Sequence, residues 1–299
     1  MKQDFPYEKS LKTTTSNDFL NLQSFLFVSS KQITKTLYNT SVTAHQIIFL
    51  SMIFGISASY LIIQNDKIFV VIGAVLLFYK NVLDKVDGSL ARAKGLDSRR
   101  GRFYDSLADF VVTLTVFSAL TYKLYLEYRS EWIFLIGFLA MVFSMLQCSF
   151  FIYYHVSFIK HTGKETVNRI IESITEADLR TQDKWTLLLQ RTFMLIYGWQ
   201  DVLFAWLNEK LISNVKTQMS NSSDNPKSKI QNPQLETLWY QNKPFLTLAS
   251  SLSIGTHIFL ICIFAILNKF EYYLFMNLIF MNLLLIFAVI YQYKSVKIS

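Results

Sequence analysis

Six apolar runs, each 19 to 25 residues long, recur along this chain: His45–Ile63, Ile68–Val86, Tyr104–Tyr122, Trp132–Val156, Phe245–Leu267 and Tyr272–Tyr291. As helices, runs of this length can cross about 30 Å of hydrocarbon. In lipid every backbone amide must find its partner within the chain, which leaves helices or a closed barrel. Only 9 Gly and 4 Pro occur, and long alternating strand patterns are absent, so a barrel is not expected. The expected class is all-α: a polytopic membrane protein of six transmembrane helices. Composition agrees, with 52% hydrophobic and 17% charged residues among 299, where a soluble domain carries about 25% charge. Cys148 and Cys262 both fall inside apolar runs and read as small packed hydrophobes. The short apolar stretch Leu20–Val28 lacks the basic flank of a signal peptide.

The net charge of +8 raises the question of nucleic acid, and its placement answers it. Of 29 Lys and Arg, 25 fall in alternate connections and helix ends, while the opposite side has Lys67, Lys123, Arg129 and Lys269. By the positive-inside rule both termini and the Asp-rich segment after the second run are cytoplasmic. That distribution implies membrane lipids as surroundings and no nucleic-acid partner. In the second run Lys80, Asp84 and Lys85 occupy the last turns, with the lysines expected to snorkel outward.

The expected organisation is a cytoplasmic segment 1–44, a membrane domain 45–292 and a tail 293–299. Within the domain, 157–243 is a long cytoplasmic connection. Its first part has Glu165, Arg169, Glu172 and Glu176 at helical spacing. Arg191–Leu211 has the aromatic content of a helix lying in the interface, with Trp199 an anchor. From Lys216 to Gln234 the composition turns to Ser, Asn, Lys and Pro and reads as a disordered loop.

One segment carries chemistry: Asp84, Asp87, Gly88, Ala91 and Arg92, then Gly101, Asp105 and Asp109. Asp84 and Asp87 are three apart and Asp105 and Asp109 four apart, so each pair shares a helical face. One pair ends a span and the other begins the next, so a short connection lets all four carboxylates converge on a cytoplasm-facing cavity. Converging carboxylates repel one another unless a cation neutralises them. Hard divalent ions such as Mg²⁺ or Mn²⁺ take oxygen ligands and also hold phosphates. Two such ions would clamp a pyrophosphate for in-line displacement. Gly88 and Ala91 leave the helix surface bare for a bulky ligand, and Arg92 offers a planar fork to phosphate.

The spacing D-x2-D-G-x2-A-R-x8-G-x3-D-x3-D resembles the signature of the CDP-alcohol phosphotransferase family, with every fixed position matched and no insertion. The resemblance implies a metal-dependent transferase of phospholipid biosynthesis. It implies a CDP-alcohol donor such as CDP-diacylglycerol, an acceptor alcohol, release of CMP, two ions per site and a homodimer. Residue by residue, it makes Asp84, Asp87, Asp105 and Asp109 metal ligands, with Asp105 bridging and Asp109 also the general base. Gly88, Ala91, Arg92, Ser98 and Gly101 become substrate-binding. Thr43-Ala44-His45 stands where members often carry Thr-Pro-Asn. The acceptor stays open among glycerol 3-phosphate, serine, inositol and inositol phosphate, and a soluble CDP-alcohol donor is the other possibility. The alternative from another class is an inactive membrane scaffold or transporter that binds metal or nucleotide at the carboxylates.

Overall fold

A computed structural model describes residues 4–12, 20, 24–163, 167–222 and 232–298, and among these the regular structure is entirely helical. A single turn, α1 (Tyr7–Ser10), and α2 (Ser24–Tyr38) precede four long helices: α3 (Ala44–Ile63), α4 (Lys67–Lys94), α5 (Arg99–Tyr128) and α6 (Trp132–His161). Side chains start α3, α4 and α5. Thr43 forms a capping box with Gln46, Asp66 accepts from the Ile68 amide, and Ser98 accepts from the Gly101 amide. Gly95 stops α4 at φ +66°, a left-handed conformation that a Cβ disfavours, and the chain reverses into α5 at once.

The connection after α6 holds α7 (Glu176–Thr181) and α8 (Lys184–Phe193), which runs through a π turn at Met194–Gly198 into α9 (Trp199–Ser222). Next come α10 (Asn232–Tyr240), α11 (Lys243–Ser250) and α12 (Ile254–Ile266). The chain ends in α13 (Phe270–Phe275), continued by a second π turn (Met276–Met281) into α14 (Asn282–Ile298).

Among the described residues, five stretches are long and apolar enough to cross a membrane: Ala44–Ile63, Arg99–Tyr128, Trp132–His161, Thr237–Ile266 and Phe270–Ser295. The sixth expected span, Ile68–Val86, is helical as part of α4 but is not among the five. Lys80, Asp84 and Lys85 in its last turns keep it from qualifying on composition. The connection differs from expectation in two places. Residues 167–175 are not helical, and 164–166 lie outside the described residues. Residues 216–222, expected as loop, continue α9, while 223–231 are not among the described residues.

The bundle has two main cores. One gathers Val70, Leu77, Val116, Leu120, Ile258 and Tyr273 between α3, α4, α5, α12 and α13. The other packs Phe150, Tyr154, Phe204, Trp239 and Phe245 between α6 and the later helices. Helix α3 packs along both α4 and α5. Polar side chains inside the bundle find partners there: Asn277 donates to the Ala140 backbone carbonyl at 3.1 Å, and His257 Nδ1 lies 3.1 Å from the Tyr273 hydroxyl. Gln147 donates to the Asn277 carbonyl, within the π turn, at 3.2 Å.

Helices α5 and α6 touch at Gly137, where an added Cβ would fall 1.9 Å from Thr121 Oγ1 and 2.9 Å from Thr121 Cβ. Rotating Thr121 cannot relieve the second contact. Gly137→Ala is therefore expected to destabilise the protein by about 1–3 kcal/mol, read as a lower Tm in detergent.

Helices α8 and α9 leave Trp185, Leu188, Leu195, Trp199, Val202 and Trp206 exposed at helical spacing, a continuous apolar stripe.

Candidate active site

Helices α4 and α5 carry the aspartates on facing surfaces, α4 near its C-terminal end and α5 near its start. Asp84, Asp105 and Asp109 each bring one carboxylate oxygen within 4.8 Å of the others. Asp87 is buried beside Asp105, and one of its oxygens accepts from the Gly88 amide. All four carboxylates thus meet at one place, three of them in the tight group.

Lys80 is the residue that sequence reasoning misplaced. Instead of snorkelling outward it is 1% exposed, and its ammonium donates to both Asp84 and Asp109. A buried ammonium is tolerable only with partners of opposite charge, and the two carboxylates supply them. Lys80 also lines a small cavity with Leu77, Val112, Phe117, His257 and Ile261, so His257 faces the same space from α12.

Asp84 Oδ1 and Asp87 Oδ2 are buried with no hydrogen-bond partner among the described residues. Unsatisfied buried carboxylate oxygens are the donor type hard divalent cations accept, so the cluster could hold a metal.

The remaining expected positions lie on the same two helices and at the turn between them. On α4, Gly88 is bare where a Cβ would meet Arg92 Nη1 at 3.1 Å, so the guanidinium lies over the glycine. Ala91 sits in the last turn, its carbonyl accepting from the Leu96 amide at 2.8 Å. Arg92 Nε donates to the Ser10 carbonyl at 2.9 Å. Ser98 and Gly101 are joined as the cap of α5, the Gly101 amide donating to Ser98 Oγ at 3.1 Å. In this arrangement Ser98 orders the helix that presents Asp105 and Asp109. His45 reaches the same corner, its ring 5.9 Å from that of Tyr104.

Two groups reach this site with no sequence signal tying them to it. The π turn before α9 delivers Tyr197, whose hydroxyl donates to the Ser106 carbonyl at 3.3 Å, between Asp105 and Asp109. The irregular segment 167–175 carries Glu172, fully buried, which accepts from both Arg99 and Arg102. Gln190 adds a bond to Glu172 at 3.0 Å. Beside it Arg169 forks onto Asp178 at 2.6 and 2.7 Å, holding that carboxyl well below the usual range. This network fastens the connection to the first turn of α5. Glu172→Gln would leave the mostly buried Arg102 without its carboxylate and Arg99 with only Asp178, at 3.8 Å. It should destabilise the protein by about 3–5 kcal/mol, seen as a large drop in Tm.

A search among curated proteins finds no match. Comparison with protein families does: residues 41–213 match the CDP-alcohol phosphatidyltransferase family. That match takes in α3 to α6 and most of the connection, with every aspartate of the site. It covers more than half of the chain, which belongs to the CDP-alcohol phosphatidyltransferase family.

Proposed function

We propose that this protein transfers a phosphatidyl group from CDP-diacylglycerol to a small polar alcohol, releasing CMP. The family implies phosphoalcohol transfer from a CDP-alcohol to an alcohol acceptor. The observation that carries the reading to this chain's residues is the convergence of Asp84, Asp105 and Asp109 across two helices at the family's spacing.

Asp84, Asp87, Asp105 and Asp109 would hold two divalent cations, Mg²⁺ or Mn²⁺, which when bound supply charge neutralisation for the diphosphate and the leaving CMP. Gly88 gives the diphosphate room against α4, and Arg92 places its fork over that glycine. Asp109 takes the proton of the acceptor hydroxyl as its oxygen attacks the β-phosphorus. The bond from that phosphorus to the bridging oxygen breaks, and CMP leaves with the bond's electrons. Lys80 holds Asp84 and Asp109 in orientation from beneath, and Tyr197 walls the α5 side.

The distribution of Lys and Arg supports a site and termini on the cytoplasmic side, with α4 as a sixth span. The exposed stripe on α8 and α9 supports their lying in the interface, where tryptophans anchor. A homodimer is the family's expectation.

Purified protein given CDP-diacylglycerol, Mg²⁺ or Mn²⁺, and glycerol 3-phosphate, serine, inositol or inositol phosphate in turn should yield CMP and one new phosphodiester by mass spectrometry. If no acceptor gives product, and soluble CDP-alcohols with lipid acceptors also give none, the transfer reading fails. Binding of donor and metal without turnover would then make the protein a scaffold.

A further inference from the structure

The family match begins at residue 41, yet the chain before it returns to Arg92, beside the aspartates on α4. The Ser10 carbonyl accepts from Arg92 Nε at 2.9 Å, and Ser10 is buried. This bond uses the guanidinium nitrogen nearest the stem. It leaves the Nη1 and Nη2 end lying over Gly88, the end that can fork onto a phosphate.

Three contacts fix the segment behind Ser10. The Phe5 ring meets Tyr38 of α2 edge-on at 5.7 Å. The Lys31 ammonium sits 3.7 Å from the centre of the Tyr7 ring. Ser10 Oγ donates to the Tyr7 carbonyl at 2.5 Å.

Two residues past Ser10, Lys12 is exposed. Its ammonium is within electrostatic reach of Arg92 and Lys85 and of Asp105 and Asp87. His155 of α6 is within electrostatic reach of the same three cations, Lys12, Lys85 and Arg92. Placing a third cation beside two others costs repulsion. An anionic ligand arriving among the three removes that cost, and a diphosphate is the anion this reaction uses.

We propose that residues 5–12 form the outer wall of the donor site. In that wall Lys12 binds the diphosphate of the cytidine nucleotide, while the Ser10 carbonyl positions Arg92 for the same group. The proposal rests on the transfer reading for its choice of ligand, and its test uses binding so that the two can fail separately.

The full-length protein in detergent with Mg²⁺ is titrated with CDP, comparing wild type, Lys12→Met and Lys12→Arg. Losing one charge-assisted phosphate contact should weaken CDP binding about tenfold in Lys12→Met. Lys12→Arg should stay within about twofold of wild type, because either cation can reach a phosphate oxygen. In turnover, Lys12→Met should raise KM for the CDP-alcohol and leave kcat within about twofold, since the contact is made equally in ground and transition states. Unchanged CDP affinity in Lys12→Met would overturn the proposal, whatever the enzyme's activity. Tighter binding would also overturn it, by making the segment an obstruction. A wild-type protein that binds CDP in a Lys12-dependent manner but forms no phosphodiester would sink the transfer reading and leave this wall in place.

Discussion

Asp109→Asn is expected to lower kcat about 10²- to 10⁴-fold, the range for loss of a positioned general base. The substitution keeps size and shape but removes the group that accepts the acceptor's proton. It also leaves Lys80 with Asp84 alone. Asp109 is the more exposed of the two partners, with a quarter of its side chain open, against 12% for Asp84. The neutral amide should therefore be tolerated structurally, and donor KM should change much less than kcat. An equal rise in KM with unchanged kcat would move Asp109 from proton transfer to substrate binding.

Lys80→Met should have the second large effect, and it should appear first in stability without metal. The ammonium is buried and shared between Asp84 and Asp109. Removing it leaves Asp84 and Asp109 facing one another without the ammonium that bonds to both, at a cost of about 3–5 kcal/mol. A divalent cation bound only by the folded protein returns stability in proportion to its occupancy. Lys80→Met should thus show a lower Tm in chelator and a larger rise with Mg²⁺ than wild type. Equal Mg²⁺ responses in the two proteins would mean that Lys80 and the metal do not share these oxygens.

The long helices were legible because lipid restricts the options so strongly. Runs at His45, Tyr104 and Trp132 read directly as the central parts of α3, α5 and α6. The aspartate cluster was legible from spacing, since positions three and four apart share a helical face. Lys80 was misread even though its signal was present. It stands four residues before Asp84, hence on the same face, but lysines near a span's end were assigned to water. Which way it turned depended on Asp109, 29 residues further on, and no local pattern announces that partner.

Glu172 illustrates the same limit. Its spacing to Arg169 and Glu176 suited a solvated helix, whereas its partners are Arg99 and Arg102 on α5. Two mostly buried cations outweigh a local helical preference worth about 0.2–0.5 kcal/mol per pair. The N-terminal wall left no trace at all. Its contact with Arg92 uses a backbone carbonyl, which every residue carries.

The most direct test of the central claim follows the phosphorus. CDP-diacylglycerol labelled at the β-phosphorus is incubated with the purified protein, divalent metal and the active acceptor. The label should pass entirely into the new phosphodiester, with unlabelled CMP released in equal amount and neither product formed in chelator. Label recovered as free phosphatidic acid whether or not acceptor is present would make the reaction hydrolysis, and would contradict transfer at the aspartate cluster.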